Sequence, residues 1–96
     1  MLYIAYCLDK PDHAAVRAAN RPAHVEFLKQ HAAQIVIAGP VLSEDGQQMA
    51  GSLFILEFDG RGDVDRFLKS DPYAKAGLFA SVDVRPWRKT IERDPR

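Results

Sequence analysis

The sequence predicts an α+β fold whose elements follow one another as β, α, β, β, α, β. Four short runs rich in β-branched and aromatic residues are spread along the chain, and two stretches between them repeat apolar residues every three or four positions. Gly or Pro stands at nearly every junction, where the chain must change direction. With 96 residues there is material for one core, so residues 1–96 are read as a single domain.

Leu2-Tyr3-Ile4-Ala5-Tyr6-Cys7-Leu8 is the first strand, closed by the polar turn Asp9-Lys10-Pro11-Asp12. Asp12 can cap a helix running to about Ala33, with Val16, Ala19, Ala23 and Phe27 as its apolar stripe. Pro22 falls inside that helix, removing an amide donor and crowding the preceding turn, so a kink or short break is expected there. Ile35 to Ala38 forms the second strand, ended by Gly39-Pro40, and a polar loop from Ser43 to Gln48 leads to the third strand, Gly51 to Phe58. Strands two and three should be antiparallel neighbours. The spacing of Val64, Phe67 and Leu68 predicts a short helix that closes near Ser70. Asp71-Pro72 then restarts a helical turn, with Asp as cap and Pro in the first position, and Gly77 ends it. Leu78 to Val84 is the last strand, stopped by Pro86, and Ile91 to Arg96 is a polar tail expected to fray.

This order is the ferredoxin-like arrangement, a four-stranded antiparallel sheet with both main helices on one face. Strand three, however, is apolar on both sides: Phe54, Leu56 and Phe58 face one way, Leu53 and Ile55 the other. In strand one Leu2, Ile4, Tyr6 and Leu8 oppose Tyr3, Ala5 and Cys7, so it too lacks a polar side. An uncovered apolar sheet face is a partner surface, and two copies packing sheet to sheet would cover it, so a homodimer is expected.

Composition narrows the class of function. The chain is 47% hydrophobic and 27% charged, which fits a packed domain and argues against disorder. Lys plus Arg and Asp plus Glu are 13 each, so there is no global positive field to draw the protein to nucleic acid. Cys7 is the sole cysteine and cannot form an internal disulfide, which favours a reducing cytoplasm. No run approaches membrane-spanning length, and Leu2 to Leu8 is too short and lacks the preceding basic residues of a signal peptide, so no membrane partner is expected. Nor is a metal: His24 and His31 lie two helical turns apart, about 10.5 Å along the axis, too far to ligate one ion, and His13 and Cys7 do not repair the spacing. Gly60 and Gly62 sit in a charged turn with no phosphate-loop pattern, so no nucleotide cofactor is indicated.

Arg21-Pro22-Ala23-His24, Ala38-Gly39-Pro40, Gly51-Ser52, and Asp71-Pro72-Tyr73 through Gly77 followed by Pro86-Trp87 together resemble the YCII-related family of the dimeric α+β barrel superfamily. The resemblance covers nearly the whole chain. It implies a ferredoxin-like fold whose copies pack sheet against sheet, and a pocket between sheet and helices holding a His and an Asp, here His24 and Asp71. Relatives implied by it act on small cyclic or aromatic compounds, a dehydrochlorinase of chlorinated hydroxyhydroquinone among them. Ser52 matches the same pattern, and Gly39 and Pro40 fall where the pocket would take its substrate.

A carboxylate that accepts from one ring nitrogen of a His can hold the other toward a substrate proton. His24 and Asp71 have these parts, although His24 could equally flank the helix stripe and Asp before Pro is what capping alone selects. Capping and chemistry can coexist if one oxygen meets backbone amides and the other the imidazole. Ser52 could donate to a substrate oxyanion, but no Gly-x-Ser-x-Gly elbow surrounds it to make it a nucleophile. Arg17 and Arg21, one helical turn apart, could attract an anionic substrate or form a solvated basic face. Asp83 and Arg85 read as a rim or interface pair on the last strand. The expected activity is a cofactor-independent enzyme, a lyase or isomerase or dehydrochlorinase-like, using a His-Asp pair on a small cyclic or aromatic compound. The alternative is a non-catalytic domain that binds a small ligand or docks a partner.

Overall fold

The computed structural model describes residues 1–94, and its elements follow the expected order. β1 (Leu2–Asp9), β2 (Ile35–Leu42), β3 (Met49–Glu57) and β4 (Phe79–Pro86) form one sheet in the spatial order β2-β3-β1-β4, with every neighbouring pair antiparallel. α1 (Ala14–Gln30), α2 (Arg61–Ser70) and the short α3 (Pro72–Lys75) supply the helical layer.

Strand alternation decides where the core lies. Tyr3, Ala5 and Cys7 of β1, Phe54 and Leu56 of β3 and Val84 of β4 face the helices and are buried with Val64, Phe67 and Leu68 of α2. Phe67 ties the layers together: its ring centroid is 5.1 Å from Phe27 of α1, 5.9 Å from Phe54 and 5.6 Å from Phe58, all within the range of favourable aromatic pairs. Gly51 is required where β3 crosses β1, because a Cβ there would overlap the Cys7 carbonyl oxygen. That close approach brings the next residue, Ser52, into the buried layer.

Several local expectations are corrected. Asp12 does not cap α1; it takes a left-handed turn conformation with φ of 59°, which a short polar side chain tolerates, and His13 occupies the cap position without a side-chain cap bond. α1 runs unbroken through Pro22, whose ring lies on the exposed side, where solvent can reach the carbonyl that loses its helical donor. It ends at Gln30, before the expected Ala33, and a 3-10 turn at Ala32–Gln34 follows. Its buried residues are Arg17 and His24, whereas Ala19 and Ala23 of the expected apolar stripe are exposed. β2 continues past Gly39-Pro40 to Leu42, which is possible because it is an edge strand and one side of it needs no ladder donors. Ile91–Asp94 has no regular structure; Pro95 and Arg96, the end of the expected fraying tail, lie outside the described residues.

The face away from the helices is open and apolar over β1 to β3, while on β4 Asp83 and Arg85 lie opposite Tyr6 and Ile4. Tyr6 lies opposite Leu53, and Ile4 opposite Ile55, which in turn lies opposite Ile37. Tyr6, Leu8, Leu53 and Ile37 are all exposed, Ile37 at 65%. Among the described residues no helix is long and apolar enough to cross a membrane.

Candidate functional site

Asp71 stands between α2 and α3 because the residue before a proline is biased away from helical backbone. Its φ and ψ of −62° and 129° are extended, which ends α2 and turns the side chain back over the first turn of α3. Oδ1 accepts a hydrogen bond from the Tyr73 backbone N–H at 2.9 Å and lies 2.8 Å from Nδ1 of His24. The expected division of labour between the two oxygens is therefore corrected: one oxygen serves both cap and imidazole. The other, Oδ2, is buried with no hydrogen-bond partner among the described residues, in a side chain that is 0% exposed. In the tautomer whose Nδ1 donates to Asp71, Nε2 of His24 holds a lone pair. The His24 ring stacks on Tyr73 at 3.9 Å between centroids and 16° between planes, which fixes its orientation.

The inward face of α1 brings Arg17 in one direction and His24 in the other. The Arg17 guanidinium donates from Nε and Nη2 to the two oxygens of Asp9, at 2.7 and 2.9 Å, and from Nη2 to Ser52 Oγ at 2.9 Å. Its Cζ lies 4.5 Å from the Tyr73 ring centroid. Burial opposes the charge of Arg17, but the hydrogen bond and negative charge of Asp9 outweigh it and hold the guanidinium above its ordinary value. Arg17 is thus a buried, ion-paired cation at the cavity wall and not part of a solvated basic face. Arg21, a turn further on, is exposed at the cavity rim.

A cavity of about 170 Å³ opens between α1 and the sheet, lined by Arg17, Arg21, His24, Val25 and Leu28 from α1, Ala38, Gly39 and Pro40 from β2, and Met49, Ser52 and Phe54 from β3, with Tyr73. A cavity of roughly 150 Å³ holds benzene, so this one accommodates a single substituted six-membered ring. His24, Ser52, Arg17, Arg21, Gly39 and Pro40 therefore share one space, with Asp71 directly behind His24. Asp83 and Arg85 lie elsewhere, as an exposed pair at 3.3 Å on β4. Among the described residues no group of three or more His, Cys, Asp or Glu side chains could hold a metal ion. Cys7 lies beneath the site, and its thiol is pushed up to about 12, first by burial and then by the carboxylates of Asp71 and Asp9, with Arg17 partly offsetting them. A thiol so held is no nucleophile near neutral pH.

Two site residues escape a reading of the sequence. Asp9 looks like turn punctuation until the bidentate bond to Arg17 is seen. Tyr73 looks like packing beside a capped proline, yet its ring lies against both His24 and Arg17. Burial pushes the Tyr73 phenol up, against the charges of Arg17 and Arg21, which pull it down.

Comparison with known proteins places these features in context. A family model described as the YCII-related domain matches residues 1–88. Protein YciI from Escherichia coli O6:H1 is 32% identical over 98 residues, covering 95% of this chain and 100% of the relative. The structure of 5-chloro-2-hydroxyhydroquinone dehydrochlorinase from Burkholderia phenoliruptrix AC1100, in complex with 2,5-dihydroxybenzoquinone, superposes with a TM-score of 0.87 at 36% identity, covering 94% of this chain and 96% of that one. An antibiotic biosynthesis monooxygenase shares the fold alone, with a TM-score of 0.54 at 15% identity over 93% of this chain and 100% of the other.

Proposed function

This chain belongs to the YCII-related family, and on that premise we propose that it is a cofactor-independent acid-base enzyme acting on a small hydroxylated aromatic or quinone-like ring. The observation that carries the reading is the His24–Asp71 contact of 2.8 Å beside a cavity the size of one ring. Nε2 of His24 takes a proton from the substrate, and the Asp71 carboxylate stabilises the imidazolium that results. The electron pair released forms a new double bond. In a dehydrochlorination chloride departs with the bonding pair of the C–Cl bond, the proton passes from His24 to solvent, and the net loss is HCl. In an isomerisation His24 returns the proton to a different atom. Ser52 donates to the substrate oxygen, Gly39 and Pro40 form a side-chain-poor wall against the ring, and Arg21 draws anionic substrates to the rim. The structural relative acts on a chlorinated hydroxyhydroquinone, which is the class of ring this cavity suits.

The assay offers 5-chloro-2-hydroxyhydroquinone and follows chloride release by the protein and by Asp71→Asn. The asparagine keeps an oxygen for the Tyr73 amide and the imidazole, so thermal stability should persist while turnover falls about tenfold or more from the lost charge. Binding without chloride release or any other change in the ring would instead identify a ligand-binding domain. Unchanged turnover in Asp71→Asn would reduce Asp71 to a helix cap.

The open sheet face supports assembly as a homodimer, since Tyr6, Leu8, Leu53 and Ile37 offer an apolar surface that a second copy complements. Light scattering at micromolar concentration should report twice the mass of the chain; a monomer would sink this assembly. The unpaired, buried Cys7 suits a reducing compartment, and we place the protein in the cytoplasm.

A further inference from the structure

We propose that Tyr73 is a catalytic residue whose hydroxyl joins that of Ser52 in donating to the substrate oxygen that becomes anionic, and that Arg17 is the positioning residue that occupies a lone pair of Ser52 and holds the Tyr73 ring in place. The proposal rests on the acid-base reading above and extends it to a site for an oxyanion, assigning the substrate a ring oxygen that gains charge as His24 removes the proton.

Ser52 Oγ accepts from Arg17 Nη2 at 2.9 Å. An arginine has donors and no acceptor, so this bond uses a lone pair of Ser52 and leaves its proton to be given elsewhere. Ser52 is 3% exposed, and the space beside it is the cavity. Tyr73 borders the same space. Its side chain is 1% exposed and lines the same cavity, and its hydroxyl finds no acceptor among the described residues although it is not sealed off. Buried phenols ordinarily reach a partner, so a missing acceptor at a cavity wall marks where a ligand atom belongs. The Arg17 guanidinium lies over the ring, 4.5 Å from its centroid, and its charge pulls against burial at the phenol. Burial keeps the phenol protonated near neutral pH, so Tyr73 is a donor throughout.

Rigidity follows from the same contacts. Tyr73 is stacked on His24 and covered by Arg17, and Arg17 is clamped by both oxygens of Asp9. The base and the two donors are thereby held in fixed relation before substrate enters, the condition under which donors stabilise developing charge without reorganising.

The test titrates the protein with 2,5-dihydroxybenzoquinone, whose ionised oxygens resemble the charged product side of such a reaction, and follows its visible absorption band. In the unaltered protein the bound quinone should show a shifted band. Tyr73→Phe removes one oxygen and keeps the ring, so its melting temperature should be unchanged while quinone affinity falls about tenfold or more and the band shift shrinks. Ser52→Ala should behave the same way. Equal affinity and an equal shift in Tyr73→Phe overturn the role of Tyr73 and leave the acid-base reading standing. Failure of the unaltered protein to bind the quinone overturns the substrate class, and the proposal with it.

Discussion

Replacing His24 by asparagine is expected to lower turnover by about a hundredfold or more on any substrate whose reaction begins with proton removal, since positioned proton transfer commonly supplies at least that factor. Asparagine can still donate to Asp71 Oδ1 from its amide, so the buried carboxylate keeps a partner and the α2–α3 junction keeps its cap. What is lost is the lone pair on Nε2, together with the stacking on Tyr73. The measurement is kcat of the purified variant beside its melting curve. Turnover within threefold of the original in a folded variant would remove His24 from the chemistry.

Arg17→Met should be the most destabilising single change at the site. It leaves the Asp9 carboxylate, whose side chain is 9% exposed, without either of the two bonds it accepts from the guanidinium. Breaking a buried pair from one side costs about 3–5 kcal/mol, because the remaining charge is stranded in a poorly solvating interior. A urea melt reads this directly. Adding Asp9→Asn to Arg17→Met should restore part of the loss, since the stranded charge is then gone. If Arg17→Met melts with the parent protein, Asp9 is solvated well enough to stand alone and the clamp on Tyr73 is weaker than its geometry implies.

The order of elements was legible because each carries its own signal. β-branched runs mark the strands, and the Asp71-Pro72 pair marks both the end of one helix and the start of the next. The resemblance to the YCII-related family added the pairing of His24 with Asp71, residues far apart in sequence that periodicity alone cannot bring together. The inward face of α1 was not legible. Periodicity assumes that apolar side chains point in, so it selected Ala19 and Ala23 and passed over Arg17, which is buried by its bonds to Asp9 and Ser52. A helix that lines a polar cavity defeats that assumption. Tyr73 was passed over for the opposite reason: an aromatic residue is a good core residue by default, and only the missing acceptor for its hydroxyl sets it apart. Pro40 looked like a strand terminator because its tolerance depends on strand order, which no local pattern reveals.

The two borders of the sheet bear on solubility. An unpaired strand is a template for adding further strands, and chains that leave one bare tend to grow into fibrils. β2 forms one border, and its ladder to β3 shifts register between Ile35 and Ile37 and again between Val41 and Leu42. Pro40 lies within this strand and has no N–H, which thins its row of donors. β4 forms the other border, with the charged pair Asp83 and Arg85 upon it and Pro86 at its end. Both borders thus resist runaway polymerisation through the rims of the sheet.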